Sequence, residues 1–346
     1  MSNSSGKSGK IINTFFDILR RLLGGSQGGS TPATQPAVPS DNLTEPVRIV
    51  TDRVLLVIYD PVMDPASGER LSQKLKWKQA DDLVGGFCQD IQEASGGMAR
   101  YEVVDRVLLN EFPAKTDGFR YDPVSYLDAL RGGQPHKPEG VNYQAILTGF
   151  NVLPRIAKRE IDEVWVFSFP HAGFYESIMG GVGAFWCNAQ PLTGTAGSSR
   201  KFVLMGFSLE RGVGEMLEAF GHRAESILNK AFAGKTGEAN LFARFTRYDK
   251  AAPGKAGVGS IHFAPNSQRE YQWDNPDKVP SNCYDWLNFP KFQGDIREVG
   301  AEEWGGGDIR AHHKWWLAHL PKVAGRTSGV ANNWWQYILD PNLLNL

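Results

Sequence analysis

The sequence predicts an α/β domain: a mostly parallel sheet flanked by helices, with a loop-rich C-terminal half covering the sheet edge. Three apolar runs carry this expectation. RVLLVIYD at 53–60, EVWVFSFP at 163–170 and KFVLMGFSL at 201–209 show the unbroken hydrophobicity of strands buried on both faces. Stretches of helical period separate them, and strand–helix alternation marks a parallel sheet covered on both sides. The chain has 346 residues, 41% of them hydrophobic, enough for one large core.

The elements follow in order. Residues 1–25 read as an N-terminal amphipathic segment. Within it, KIINTFFDILRRLL (10–23) turns by about 100° per residue, placing Ile11, Phe15, Ile18, Leu19 and Leu22 on one side and Asn13, Asp17, Arg20 and Arg21 on the other. Gly24 and Gly25 end the helix. Its apolar face must bury against a membrane surface, a protein partner or the chain's own body. Residues 26–46 are rich in Gly, Ser, Thr and Pro and read as a flexible linker, which favours docking away from the body. Residues 47–346 read as a single domain. It runs through a strand at 53–60, a helix at 78–95 closed by Gly96-Gly97, and strands at 101–109, 163–170 and 201–209. Helices at 142–158 and 213–232 complete the alternation. Beyond residue 233, Gly, Pro, Asn, Trp and Tyr are frequent, and ordered loops with short helices are expected.

Composition excludes several classes. The formal net charge is -1, without the basic footprint of a nucleic-acid binder. Cys88, Cys187 and Cys283 lie far apart and form neither a disulfide framework nor a thiolate zinc pair. No apolar run approaches the ~20 residues of a membrane span. The N-terminal apolar stretch is interrupted by Asp17, Arg20 and Arg21 and lacks the form of a secretory signal. No GxSxG elbow, phosphate-binding P-loop or dinucleotide fingerprint is present.

In parallel sheets, ligands bind beyond the carboxyl ends of the strands. That rule selects Asp60 after the first run, His171 and Glu176 after the third strand, and Glu210-Arg211 after the fourth. The helix at 213–232 is the most informative segment. Met216, Leu217, Phe220, Ala224, Ile227 and Leu228 form its apolar stripe, while Glu215, Glu218, His222, Glu225 and Asn229 share the opposite side. A stripe of three acids and a histidine without a cation costs helix stability, and a bound metal ion would relieve that repulsion. Glu218 and His222, one turn apart, can reach one ion.

The run Glu218-Ala219-Phe220-Gly221-His222 resembles the HEFGH form of the HExxH helix in zincin metallopeptidases. His222 matches the second zinc histidine. Glu218 stands at the first histidine's place and Ala219 at that of the catalytic glutamate. The resemblance covers five residues and implies a zinc-dependent peptide hydrolase, with the water-activating carboxylate of that family missing at 219.

Two later segments offer partners. GSIHFAPNSQREYQWDNP (259–276) offers His262 as a third ligand, a place that a histidine of 312–319 could fill instead. EEWGGGDIRAHHKWWLAHL (302–320) supplies Asp308 as a helix N-cap, with His312, Trp315 and His319 on one stripe. His312 and His319 are about 10 Å apart along a helix, too far to share an ion.

The expected function is therefore a metal-assisted hydrolase using zinc or another divalent metal, with peptide or amide bonds favoured through the zincin likeness. Glu218, His222 and His262 are the expected ligands and Glu225, Glu215 or His171 the acid/base groups. Asp60, Glu176, Arg211, Asp308, His312 and Trp315 are the expected substrate contacts. Two alternatives stand beside it. One is a non-catalytic glycan- or protein-binding module using the Trp/Tyr-rich loops. The other is a metal-independent hydrolase pairing His171 with Asp60 or Glu176.

Overall fold

The computed structural model describes Asn42 and residues 44–344, which belong to one compact unit beginning at Pro39. The amphipathic segment 10–23 and most of the linker lie outside the described residues. The last linker residues are tied to the body: Glu45 pairs with Arg326 through two 2.8 Å hydrogen bonds, and Asn42 N–H donates to the Arg326 carbonyl. Among the described residues, no helix is long and apolar enough to cross a membrane.

The chain opens with strand β1 (Val50–Tyr59), a short hairpin of β2 (Val62–Asp64) and β3 (Glu69–Arg70), and helices α1 (Leu71–Lys74) and α2 (Ala80–Ala94). Gly96 and Gly97 have positive φ and end α2, where Gly97 N–H donates to the Gln92 carbonyl. Strand β4 (Ala99–Leu109) follows, then α3 (Pro123–Leu130), capped by Asp122 on the N–H groups of Val124 and Ser125. The helix expected at 142–158 is broken into α4 (Tyr143–Gly149) and α5 (Val152–Ala157), because Asn151 adopts the left-handed conformation, φ 51°. Strands β5 (Glu163–Ser168), β6 (Ser177–Gly180) and β7 (Phe202–Ser208) precede the long helix α6 (Val213–Ala231). The last third contributes α7 (Leu241–Phe245), a hairpin of β8 (Val279–Ser281) and β9 (Arg297–Val299), α8 (Ile309–Ala318), a hairpin of β10 (Lys322–Thr327) and β11 (Val330–Asn333), and α9 (Trp335–Leu339).

The central sheet has the order β4-β1-β5-β7-β6. Its first four strands are parallel, and β6 closes the edge antiparallel to β7. Side-chain alternation explains the unbroken apolar runs. Val54, Leu56, Ile58, Trp165, Phe167, Val203 and Met205 enter one core, with α2, α6, α8 and α9. Leu55, Val57, Tyr59, Val164, Val166 and Leu204 enter the other, with α3, α4 and α5. Both faces of the inner strands are therefore covered, as their sequence demands.

The loop-rich C-terminal half packs on α6 and α2 and buries its aromatics there. Trp273, Trp286, Trp304, Trp316, Trp334 and Trp335 are all core residues. A buried ion pair fixes this layer to the sheet. Arg223 on α6 bonds Glu163 of β5, and its other nitrogens donate to the carbonyls of Ile338 (3.0 Å) and Leu339 (3.2 Å) in α9. Burial pushes the carboxyl of nearby Asp52 well up, with a further rise from the Glu163 charge.

Candidate metal centre

The polar stripe of α6 is covered at Glu218, His222 and Glu225, while Asn229 at its end is exposed. The helix's apolar side enters the core through Met216, Leu217, Phe220, Ala224, Ile227 and Leu228, the five larger side chains each contributing about 1.5–3 kcal/mol by burial. The opposite side lies beneath the segment around Ile261, and Glu218 and Glu225 are buried there at 7% and 8% exposure. Gly221 makes this approach possible, since a Cβ at that position would meet Ile261 Cδ1 at 2.3 Å. The segment is fastened from several directions. Glu225 Oε1 accepts the Ile261 N–H at 3.0 Å. The ring of His313 lies between the carbonyls of Gly214 (3.0 Å) and Ile261 (3.2 Å), and Trp316 Nε1 donates to the Gly259 carbonyl at 2.8 Å. His262 is thereby fixed, fully buried, over the second and third turns of α6.

Three donors converge. Glu218 Oε1 lies 3.2 Å from His262 Nε2 and 3.9 Å from His222 Nε2. One ligand atom from each of the three residues falls within 4.8 Å of the others. The imidazoles of His222 and His262 stand perpendicular, 4.6 Å between centroids. Ligand atoms about 2.0–2.2 Å from a tetrahedral ion sit roughly 3.3 Å apart, so modest side-chain rotations close the set. Glu218, His222 and His262 could therefore hold a metal ion as a two-histidine, one-carboxylate group, leaving a coordination position open.

Outer contacts orient the donors. Glu225 Oε2 lies 3.5 Å from His222 Nδ1, which directs Nε2 toward Glu218. The Tyr271 hydroxyl lies 3.0 Å from His262 Nε2, the donor atom itself, and would give up that contact to a bound ion. Burial opposes charge on both Glu218 and His222, and their pairing overcomes it. Hydrogen bonds from His222 and His262 hold the Glu218 carboxyl well below its ordinary value. Glu218 and Glu225, with the charge of Glu176, hold His222 protonated well above the ordinary imidazole value. Without a metal, a proton on His222 balances the carboxylates.

The structure brings Glu176 to the same cluster, 3.9 Å from His222 Nε2. The other expected site residues lie elsewhere or serve the scaffold. Glu215 Oε2 accepts the Gly212 N–H at 2.9 Å and caps α6. Asp60 accepts from the N–H and hydroxyl of Ser72. His171 is exposed beyond β5, its imidazole lowered by burial and by the Lys115 charge, and neither Asp60 nor Glu176 is its partner. Arg211 is exposed at the start of α6. Asp308 caps α8 on the Ala311 N–H at 2.7 Å. His312 is fully buried and stacked on Trp273 at 4.7 Å, and Trp315 packs on His319 at 4.3 Å. Ala219, at the place of the zincin glutamate, faces the core at 3% exposure.

Two contributors have little signature in the sequence. Tyr271 lies in the aromatic loop after His262, but nothing in that loop marks its hydroxyl. Asn188 Nδ2 donates to Glu176 Oε2 at 2.8 Å from a loop without a recognisable motif. No protein-family model matches the chain, and no curated protein matches it either.

Proposed function

We propose that the protein is a metal-assisted hydrolase whose ion, zinc or another divalent metal, is held by Glu218, His222 and His262, with peptide or amide bonds as the favoured substrate. One observation carries this reading: two imidazole nitrogens and a carboxylate oxygen from α6 and the 259–263 segment converge within 4.8 Å, with His222 already oriented by Glu225. Two histidines, one glutamate and an open position form a donor set used by hydrolytic zinc sites. A bound ion would polarise a carbonyl and lower the pKa of water. The zincin likeness of residues 218–222 favours peptide and amide substrates over others. The alternative of a glycan- or protein-binding module draws on the Trp/Tyr-rich loops, and seven of the ten tryptophans are buried. The N-terminal segment 10–23 would tether the hydrolase to a membrane surface or a protein partner.

The test is a hydrolysis screen of peptide, amide and ester libraries with the full chain, before and after chelation and after zinc is restored. The proposal expects an activity that chelation abolishes, zinc restores and His222→Ala lacks. An activity indifferent to strong chelators would contradict it.

A further inference from the structure

We infer that Glu176, delivered from the sheet edge, is the catalytic carboxylate that the 218–222 run lacks at Ala219. This inference rests on the metal-assisted reading of the Glu218/His222/His262 centre.

The other carboxylates around the centre are occupied. Glu218 is a ligand candidate. Glu225 divides its oxygens between His222 Nδ1 and the Ile261 N–H. Glu215 caps α6. Glu176 differs from them in exposure and in placement. Its side chain is 39% exposed, against 10% for Glu218 and Glu225, so it stands where the cluster meets solvent. Its Oε2 lies 3.9 Å from His222 Nε2, the atom that would bind the ion.

The surrounding structure holds this carboxylate in place. Gly206 N–H donates to the Glu176 carbonyl at 3.0 Å, extending the β6–β7 pairing by one residue. Only glycine fits at 206, since a Cβ there would meet the Tyr175 carbonyl oxygen at 2.4 Å. On the other side, Asn188 adopts a left-handed backbone, φ 55°. Its N–H donates to Ser226 Oγ on α6 at 3.1 Å, and its amide donates to Glu176 Oε2 at 2.8 Å. Sheet, loop and α6 thus converge on one half-exposed carboxylate, the preorganisation a general base needs. Asn188 is its positioning residue.

The step is an addition followed by elimination. A water oxygen bonds to the substrate carbonyl carbon while Glu176 takes one water proton. The carbon–nitrogen bond then breaks, its electron pair stays on nitrogen, and Glu176 returns the proton to that nitrogen. Amide and water become carboxylic acid and amine, and the glutamate is regenerated. An ion held by Glu218, His222 and His262 would supply polarisation of the carbonyl.

The test compares wild type with Glu176→Gln as full-length chains. Glutamine keeps the Asn188 hydrogen bond, and a thermal melt checks that the variant is folded. Cobalt(II) titration of the wild type comes first; failure to bind cobalt would overturn the metal reading itself and this inference with it. With cobalt bound, azide is titrated and followed in the visible spectrum. The inference expects the variant's cobalt affinity within about threefold of wild type. Azide should bind about tenfold more tightly, because a negative charge beside the open position is gone. Hydrolysis of 4-nitrophenyl acetate by the zinc-loaded chain should fall by about 100-fold or more. A collapse of cobalt affinity with an altered spectrum would make Glu176 a ligand and overturn the inference. Unchanged azide affinity would also overturn it.

Discussion

Glu225 Oε2 lies 3.5 Å from Nδ1 of His222, while its other oxygen holds the Ile261 N–H, one residue before His262. A single carboxylate thus sets the tautomer of one candidate ligand and the position of another. Outer-shell partners of this kind are worth about 10–100-fold in metal affinity. Glu225→Gln is expected to weaken zinc binding by that amount while leaving the cobalt spectrum unchanged. A changed spectrum would show Glu225 inside the coordination sphere.

Metal and proton compete for His222. Its folded-state pKa is raised, so the charged imidazole contributes stability fully present below the unfolded value of about 6.5 and lost as pH rises through the raised folded value. The metal-free chain should therefore lose stability to urea on going from neutral to alkaline pH, and the zinc-loaded chain should lose less. Zinc uptake at neutral pH should release a proton, read as a dependence of the calorimetric heat on the buffer's ionisation enthalpy. Heats independent of buffer would contradict the assignment.

Gly221 and Gly85 both lie inside helices and should respond oppositely to alanine. Nothing lies within 4 Å of a Cβ at Gly85, so Gly85→Ala should stabilise by up to about 1 kcal/mol through helix propensity. At Gly221 the same gain meets Ile261 at 2.3 Å, and overpacking costs about 1–3 kcal/mol. Gly221→Ala should give no stabilisation and should weaken zinc binding by moving the His262 segment. Equal stabilisation of the two variants in denaturant melts would contradict the close approach.

Much of the fold was legible because inner strands declare themselves. Residues 54–59 are apolar without interruption, since alternate side chains enter different cores. Strand β6 was not legible: four residues ending in glycine, paired antiparallel at an edge, carry no period. The break at Asn151 was hidden because a left-handed asparagine looks like any other within a helical stretch. At the site, the α6 stripe named Glu218, His222 and Glu225 together, because a helix fixes spacing. The 259–276 loop drew attention through its composition, and its single histidine is the one the fold brings over α6. Asn188 owes its place to the loop between β6 and β7, which reaches α6 at Ser226, and no local pattern encodes that distance. His312 illustrates the reverse: its stripe with Asp308 and Trp315 is real, but α8 turns His312 into the core.

Buried histidines should make the chain acid-sensitive. Burial lowers His313 and His319 to about 4 and holds His312 well below the ordinary imidazole value, with neither ring nitrogen of His312 hydrogen-bonded among the described residues. These neutral rings contribute stability that is present above the unfolded value of about 6.5 and lost as pH falls toward 4. The limit is on the order of 3 kcal/mol for His313 and for His319. The urea midpoint should fall steeply from pH 6.5 to 4, and His319→Gln should flatten that slope. A flat profile would mean these rings are not buried neutral.

Calorimetric titration of zinc into the metal-stripped full chain tests the centre most directly. Glu218, His222 and His262 predict about one ion per chain, with affinity reduced by about 100-fold or more in both His222→Ala and His262→Ala while each variant remains folded. Absence of zinc binding, or equal binding by wild type and both variants, would contradict the metal centre.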